Sequence, residues 1–68
     1  MKELGEAIAQ QRAKVLALAR RINPRLTGDD VLSPADFPEL AGSPAFNFED
    51  GVLAGLISAQ AILRATRS

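Results

Sequence analysis

Residues 51–63 contain no charged side chain and lie within a segment, residues 47–66, that we predict to be helical. On a helical wheel the large side chains gather on one broad face, and small residues such as Gly51, Ala54 and Gly55 gather on the other. A helix without charge for more than three turns is normally covered on most of its circumference. A single neighbouring helix is too narrow to provide that cover. The segment therefore predicts contact with more than one partner helix. The alternative is that its alanines raise helix propensity on a face that is exposed to solvent.

The size of the chain points in the same direction. A chain of 68 residues and 7.2 kDa usually needs disulfides, a metal or a second copy of itself to be comfortably stable. Cysteine and histidine are both absent, which excludes disulfides and the usual zinc sites. We therefore expect self-association, most simply as a homodimer.

Two long helices are predicted, over residues 2–22 and 47–66. The first has an amphipathic pattern and ends at Asn23-Pro24, because the residue before a proline avoids the helical region. Its apolar stripe follows a heptad spacing with Gln11 as its one polar member. Asn47 and Asp50 form a cap-like start for the second helix, and its last turn carries basic residues that the helix dipole favours.

The connector, residues 23–46, is too long to lack structure of its own. Thr27 with Asp30, and Ser33 before Pro34, match helix-start patterns and predict one or two short turns. Ser43, which also precedes a proline, repeats the pattern more weakly. We expect the connector to be anchored by its apolar side chains: Leu26, Val31, Leu32, Phe37, Leu40 and Phe46.

The predicted fold is all-α, with residues 1–68 as one domain. We expect an antiparallel helical hairpin with a long, partly helical connector, and two hairpins forming a four-helix bundle. The favoured register places Gln11 beside Gln60, where two amides satisfy each other. Two alternatives stay open: a parallel arrangement of the helices, and glutamines at the seam edge that reach water. The predicted oligomer interface contains residues of both helices: Gln11, Val15, Leu18, Leu53, Leu56, Ile57, Ala59, Gln60 and Leu63.

The residue types exclude most familiar chemistry. Without His, Cys or Tyr, the usual general bases, thiol nucleophiles and haem ligands are missing, so we expect no enzyme activity and no cofactor. Two adjacent acidic pairs, Asp29-Asp30 and Glu49-Asp50, are possible ligands of Mg²⁺ or Ca²⁺. Each pair also lies at a predicted helix start, where capping explains it. No metal site is predicted.

The leading functional interpretation is a small non-enzymatic protein-interaction or scaffold module that acts as a homo-oligomer, because the second helix has a long charge-free stretch and the usual catalytic residue types are missing. We expect a cytoplasmic location, because no apolar run reaches the roughly 20 residues that span a membrane. The candidate surface for a protein partner is the connector segment with Asp36, Phe37, Glu39 and Leu40, although its phenylalanine also suits a role in sealing the hairpin end. The alternative is a nucleic-acid-binding regulator that uses basic residues of the first helix and its end: Lys14, Arg20, Arg21 and Arg25. The net charge of zero and the lack of an interleaved aromatic count against it.

Overall fold

In a computed structural model, which describes residues 2–67, the chain is all-helical, as the sequence predicts. Two long helices, α1 (Lys2–Ile22) and α4 (Pro44–Arg67), pack against each other. Three short elements connect them: α2 (Gly28–Val31), a 3-10 turn (Pro34–Asp36) and α3 (Pro38–Ala41). The molecule measures 40 × 19 × 18 Å.

The bounds of α1 agree with the predicted helix 2–22. Its heptad stripe faces inward: Ile8 and Val15 are buried, and Leu4, Leu18 and Ile22 are half-buried against the core. The spacing of the apolar residues, with a period close to 3.6, therefore determines which face of α1 packs against the core.

The second long helix begins earlier than predicted, at Pro44 rather than Asn47. The backbone N–H of Phe46 donates to Ser43 Oγ at 3.2 Å, so Ser43 caps the helix and Pro44 occupies its first turn. The Asn47 side chain does not cap the helix, because its Nδ2 donates to the backbone oxygen of Ala41 at 3.0 Å. The weaker of the two start signals in the sequence is thus the one that is used.

The connector contains three short helical elements, whereas the sequence predicts one or two short turns. Thr27 and Asp30 form the predicted capping box: Asp30 N–H donates to Thr27 Oγ1 at 3.2 Å, and Thr27 N–H donates to Asp30 Oδ2 at 3.0 Å. The Ser33-Pro34 start gives only a 3-10 turn, and the Ser33 side chain makes no cap hydrogen bond. The additional turn, α3, starts at Pro38.

Side chains of the connector complete the core between α1 and α4. Leu26, Val31 and Leu40 are buried together with Phe46, which is fully enclosed. Phe37 is half-buried against the same cluster. Leu32 differs from its expected role as an anchor, because it is 71% exposed. The single turn of α2 can bury only one side, and Val31 occupies that side.

Candidate functional site

A groove of about 390 Å³ lies between α1, α2 and α4, and we call it the α1–α2–α4 groove. Its walls are mainly aliphatic. The buried Val15 and Leu53 form part of the wall, and the more accessible Leu16, Leu32 and Ile57 also line it. An open apolar groove of this kind is a surface where another molecule removes hydrocarbon from water on binding.

Two opposite charges also line the α1–α2–α4 groove. Arg12 comes from α1 and is exposed, and Asp50 comes from α4 and is half-buried. Within residues 2–67, neither side chain makes a hydrogen bond or an ion pair, and the two are not close enough to pair with each other. The groove therefore offers one donor group and one acceptor group without partners beside its apolar walls.

A polar cluster joins α1 to α4 at the opposite flank. Gln11 Nε2 donates to the backbone oxygen of Glu49 at 2.8 Å and to Glu49 Oε1 at 2.9 Å. Lys14 Nζ lies 3.3 Å from Glu49 Oε2. The hydrogen bond from Gln11 lowers the pKa of Glu49, burial opposes it, and the nearby Lys14 ammonium lowers it further. The backbone oxygen and the carboxylate of Glu49 thus accept the hydrogen bonds that the Gln11 amide donates.

This cluster corrects the predicted register. Gln11 meets Glu49 and not Gln60, a displacement of 11 positions along α4, or about three helical turns. The reason is the connector, which packs beside α1 instead of closing only its end, so that Phe46 joins the same buried cluster as Ala19 and Leu40. The predicted pair of glutamines does not form, although Gln60 remains half-buried.

The other residues of the predicted oligomer interface divide by burial within this one chain. Val15 and Leu53 lie in the core, and Leu18 and Leu56 pack against it. Further along α4, Ile57 is exposed, whereas Ala59, Gln60 and Leu63 are half-buried. Much of the predicted contact stripe is therefore used to join α1 to α4.

The connector residues predicted to contact a partner protein also divide. Leu40 is fully buried and Phe37 is half-buried against the core, so both side chains help to seal the fold. Asp36 and Glu39 are exposed. A large apolar side chain of the connector that is exposed is Leu32, which the sequence placed among the anchors.

A second, shallow groove of about 460 Å³ lies on the other side of the α1–α4 pair. It is lined by Lys14 and Arg21 of α1 together with Phe48 of α4, which is 68% exposed. We call it the Phe48 groove. The sequence contains no sign of this grouping, because Phe48 is far along the chain from the basic residues and only the packing of the helices brings them together.

The basic residues are not all available for a ligand. Lys14 pairs with Glu49, and Arg20 Nε donates to the backbone oxygen of Leu26 at 3.1 Å, where it ties the connector to α1. Arg21 and Arg25 are exposed and make no side-chain interaction within residues 2–67. Arg21 is therefore the cation of the Phe48 groove whose side chain has no partner within the described residues.

The acidic pairs of the sequence do not assemble into a larger cluster. Within the described residues, no group of three or more His, Cys, Asp or Glu side chains is arranged to hold a metal ion. Asp30 is engaged in the capping box with Thr27, and Glu49 is engaged by Gln11 and Lys14. Over the same part of the chain, no helix combines the length and the apolar character needed to cross a membrane.

Comparisons with known proteins give no family. No protein-family model matches the chain, and searches of curated proteins and of solved structures found no significant match.

Proposed function

We propose that this chain is a small non-enzymatic interaction module of the cytoplasm that acts as a homo-oligomer. The observation that carries the proposal is the incomplete cover of α4. Only Phe46 and Leu53 of this helix are buried, whereas Val52, Ile57 and Ile62 are exposed. Contact with a second surface that removes these apolar side chains from water lowers the free energy and therefore stabilises the assembly.

The proposed unit of assembly is an antiparallel hairpin of α1 and α4. Its support is the order of neighbours along the two helices. Gln11 contacts Glu49, whereas Leu18 and Arg21, further along α1, share a groove with Ala45, which comes earlier in α4. Two such hairpins side by side would form a four-helix bundle, the usual way in which paired helices of this kind bury their remaining apolar faces.

The amount of exposed surface supports self-association. The chain exposes 4754 Å², whereas a compact monomer of 7.2 kDa exposes about 4,100 Å². The radius of gyration is 13.1 Å, against about 11 Å for a compact domain of this length. The excess of about 600 Å² is close to the area that one partner contributes to a small specific interface.

The connector remains the proposed surface for a different protein. Leu32 projects from it into solvent, and the exposed carboxylates of Asp36 and Glu39 follow in the chain. Exposed apolar side chains with a polar rim are typical of contact surfaces. The contact is therefore proposed at Leu32 and the acidic side chains, because Phe37 and Leu40 serve the core.

Light scattering of the purified protein at micromolar to submillimolar concentration tests the proposal. We expect a mass of two chains or more that falls on dilution, together with a helical circular dichroism spectrum. Ala61→Glu places a charge on the exposed small-residue side of α4 and should weaken association without unfolding the chain. A folded monomer at every concentration would rule out the homo-oligomer.

The Phe48 groove favours a second candidate function, binding of single-stranded nucleic acid. An exposed aromatic ring beside a free arginine is the combination that stacks a base and contacts its phosphate. If this function holds, a labelled single-stranded oligonucleotide binds with strong salt dependence, and Phe48→Leu and Arg21→Gln each weaken binding. The absence of binding at low salt would remove this candidate.

A further inference from the structure

We propose that the α1–α2–α4 groove is the face that a second copy of this chain occupies, with Arg12 of each copy paired to Asp50 of the other. This inference rests on the proposed homo-oligomer and names its contact surface. The groove supplies both parts of an interface: apolar walls with exposed Leu32 and Ile57, and two charged side chains without partners in the described chain.

The arrangement of charge selects the occupant. In a dimer with two-fold symmetry the same patch appears on both sides, so a surface is suitable only if it is complementary to itself. A groove that carries one cation and one anion meets this condition, because the two-fold axis pairs Arg12 with Asp50 twice. A strongly basic or acidic partner would instead meet one like charge. The net charge of zero also removes repulsion between copies.

The apolar part of the groove supplies the driving force. Leu32 is 71% exposed and Ile57 is 37% exposed, and neither is needed to complete the core. Covering side chains of this size from both copies stabilises the dimer, and the charge pairs at the groove determine its orientation. Leu32, which contributes nothing to the monomer core, is then covered in the dimer, and a different protein that docks on Leu32 competes with the second copy.

A mixing experiment with two charge variants tests the pairing. Arg12→Asp alone brings two carboxylates together across the axis, and Asp50→Arg alone brings two guanidinium groups together. Each variant by itself should dissociate at least about tenfold more readily than the wild type. In an equimolar mixture, one of the two cross-pairs joins the new carboxylate to the new guanidinium and the other keeps the original Arg12 and Asp50, so the heterodimer should form with near wild-type affinity. Interactions within one chain predict no such recovery, because each variant keeps its own like charges.

The measurement is sedimentation velocity of each variant and of the mixture, with circular dichroism to confirm folding; Asp50→Lys replaces Asp50→Arg if the latter does not fold. Leu32→Ser should weaken the dimer by about tenfold or more, whereas Phe48→Ser, equally exposed but outside the groove, should not.

The outcomes separate the two proposals. A dimer that neither charge variant weakens, or a mixture that does not recover the dimer, overturns the groove assignment and leaves self-association intact. A folded wild-type monomer at submillimolar concentration overturns both.

Discussion

Phe46 and Phe48 provide a matched test of how this chain is held together. The two phenylalanines lie two positions apart on α4, yet Phe46 is 0% exposed and Phe48 is 68% exposed. Truncation of a buried phenylalanine to alanine costs about 3–5 kcal/mol, from lost burial and the cavity that remains. Truncation of an exposed side chain usually costs less than about 0.5 kcal/mol.

These magnitudes decide the expected phenotypes. A domain of 68 residues has a total unfolding free energy of about 3–10 kcal/mol. Phe46→Ala should therefore lower the melting temperature by at least about 12 °C, or leave the chain unfolded. Phe48→Ala should shift it by only a few degrees.

Thermal unfolding followed by circular dichroism at one low protein concentration measures both variants, so that self-association affects them equally. Similar decreases of the melting temperature in the two variants would refute the reasoning. They would mean that Phe46 does not lie on the side of α4 that packs against α1 and the connector.

Three further predictions concern single interactions. Glu49→Gln should destabilise the fold at neutral pH and lose this effect as the pH falls below about 4.5, because the lowered pKa of Glu49 makes its stabilisation disappear as the carboxylate is protonated; the same loss in Glu6→Gln would contradict a specific role. Thr27→Ala should lower the free energy of unfolding in urea by about 1 kcal/mol and Thr27→Ser by much less; equal losses in the two variants would show that the capping box does not stabilise the fold. Gly55→Ala should raise the melting temperature, because alanine loses less conformational freedom than glycine on forming a helix and the added methyl group meets no neighbouring atom; a lower melting temperature would place Gly55 in a close contact.

The local pattern predicts α1 fully, and it predicts the start of α4 only in part. The heptad stripe around Ile8 and Val15 needs no information from elsewhere in the chain. At the start of α4, the sequence contains two start signals, a weak one at Ser43 and another at Asn47. The choice between them depends on Phe46, whose burial among residues of α1 and the connector requires a helix that already includes it.

The same limit applies to the candidate surfaces. Leu32 and Leu40 are identical in type and lie in similar short turns, yet one is exposed and the other is fully buried. Which side of a single turn faces the core depends on how the connector packs against α1. A single turn is too short for the spacing of its apolar residues to indicate that side. The Phe48 groove and the Arg12–Asp50 combination likewise join residues that are distant in the chain.

Sedimentation equilibrium of the wild-type chain tests the central claim most directly, because it measures mass without reference to shape. We predict a reversible equilibrium that approaches twice the 7.2 kDa of one chain, with Leu32→Ser shifted toward the monomer. A constant mass of one chain for a well-folded protein would show that the exposed side of α4 and the groove beside it are stable in water.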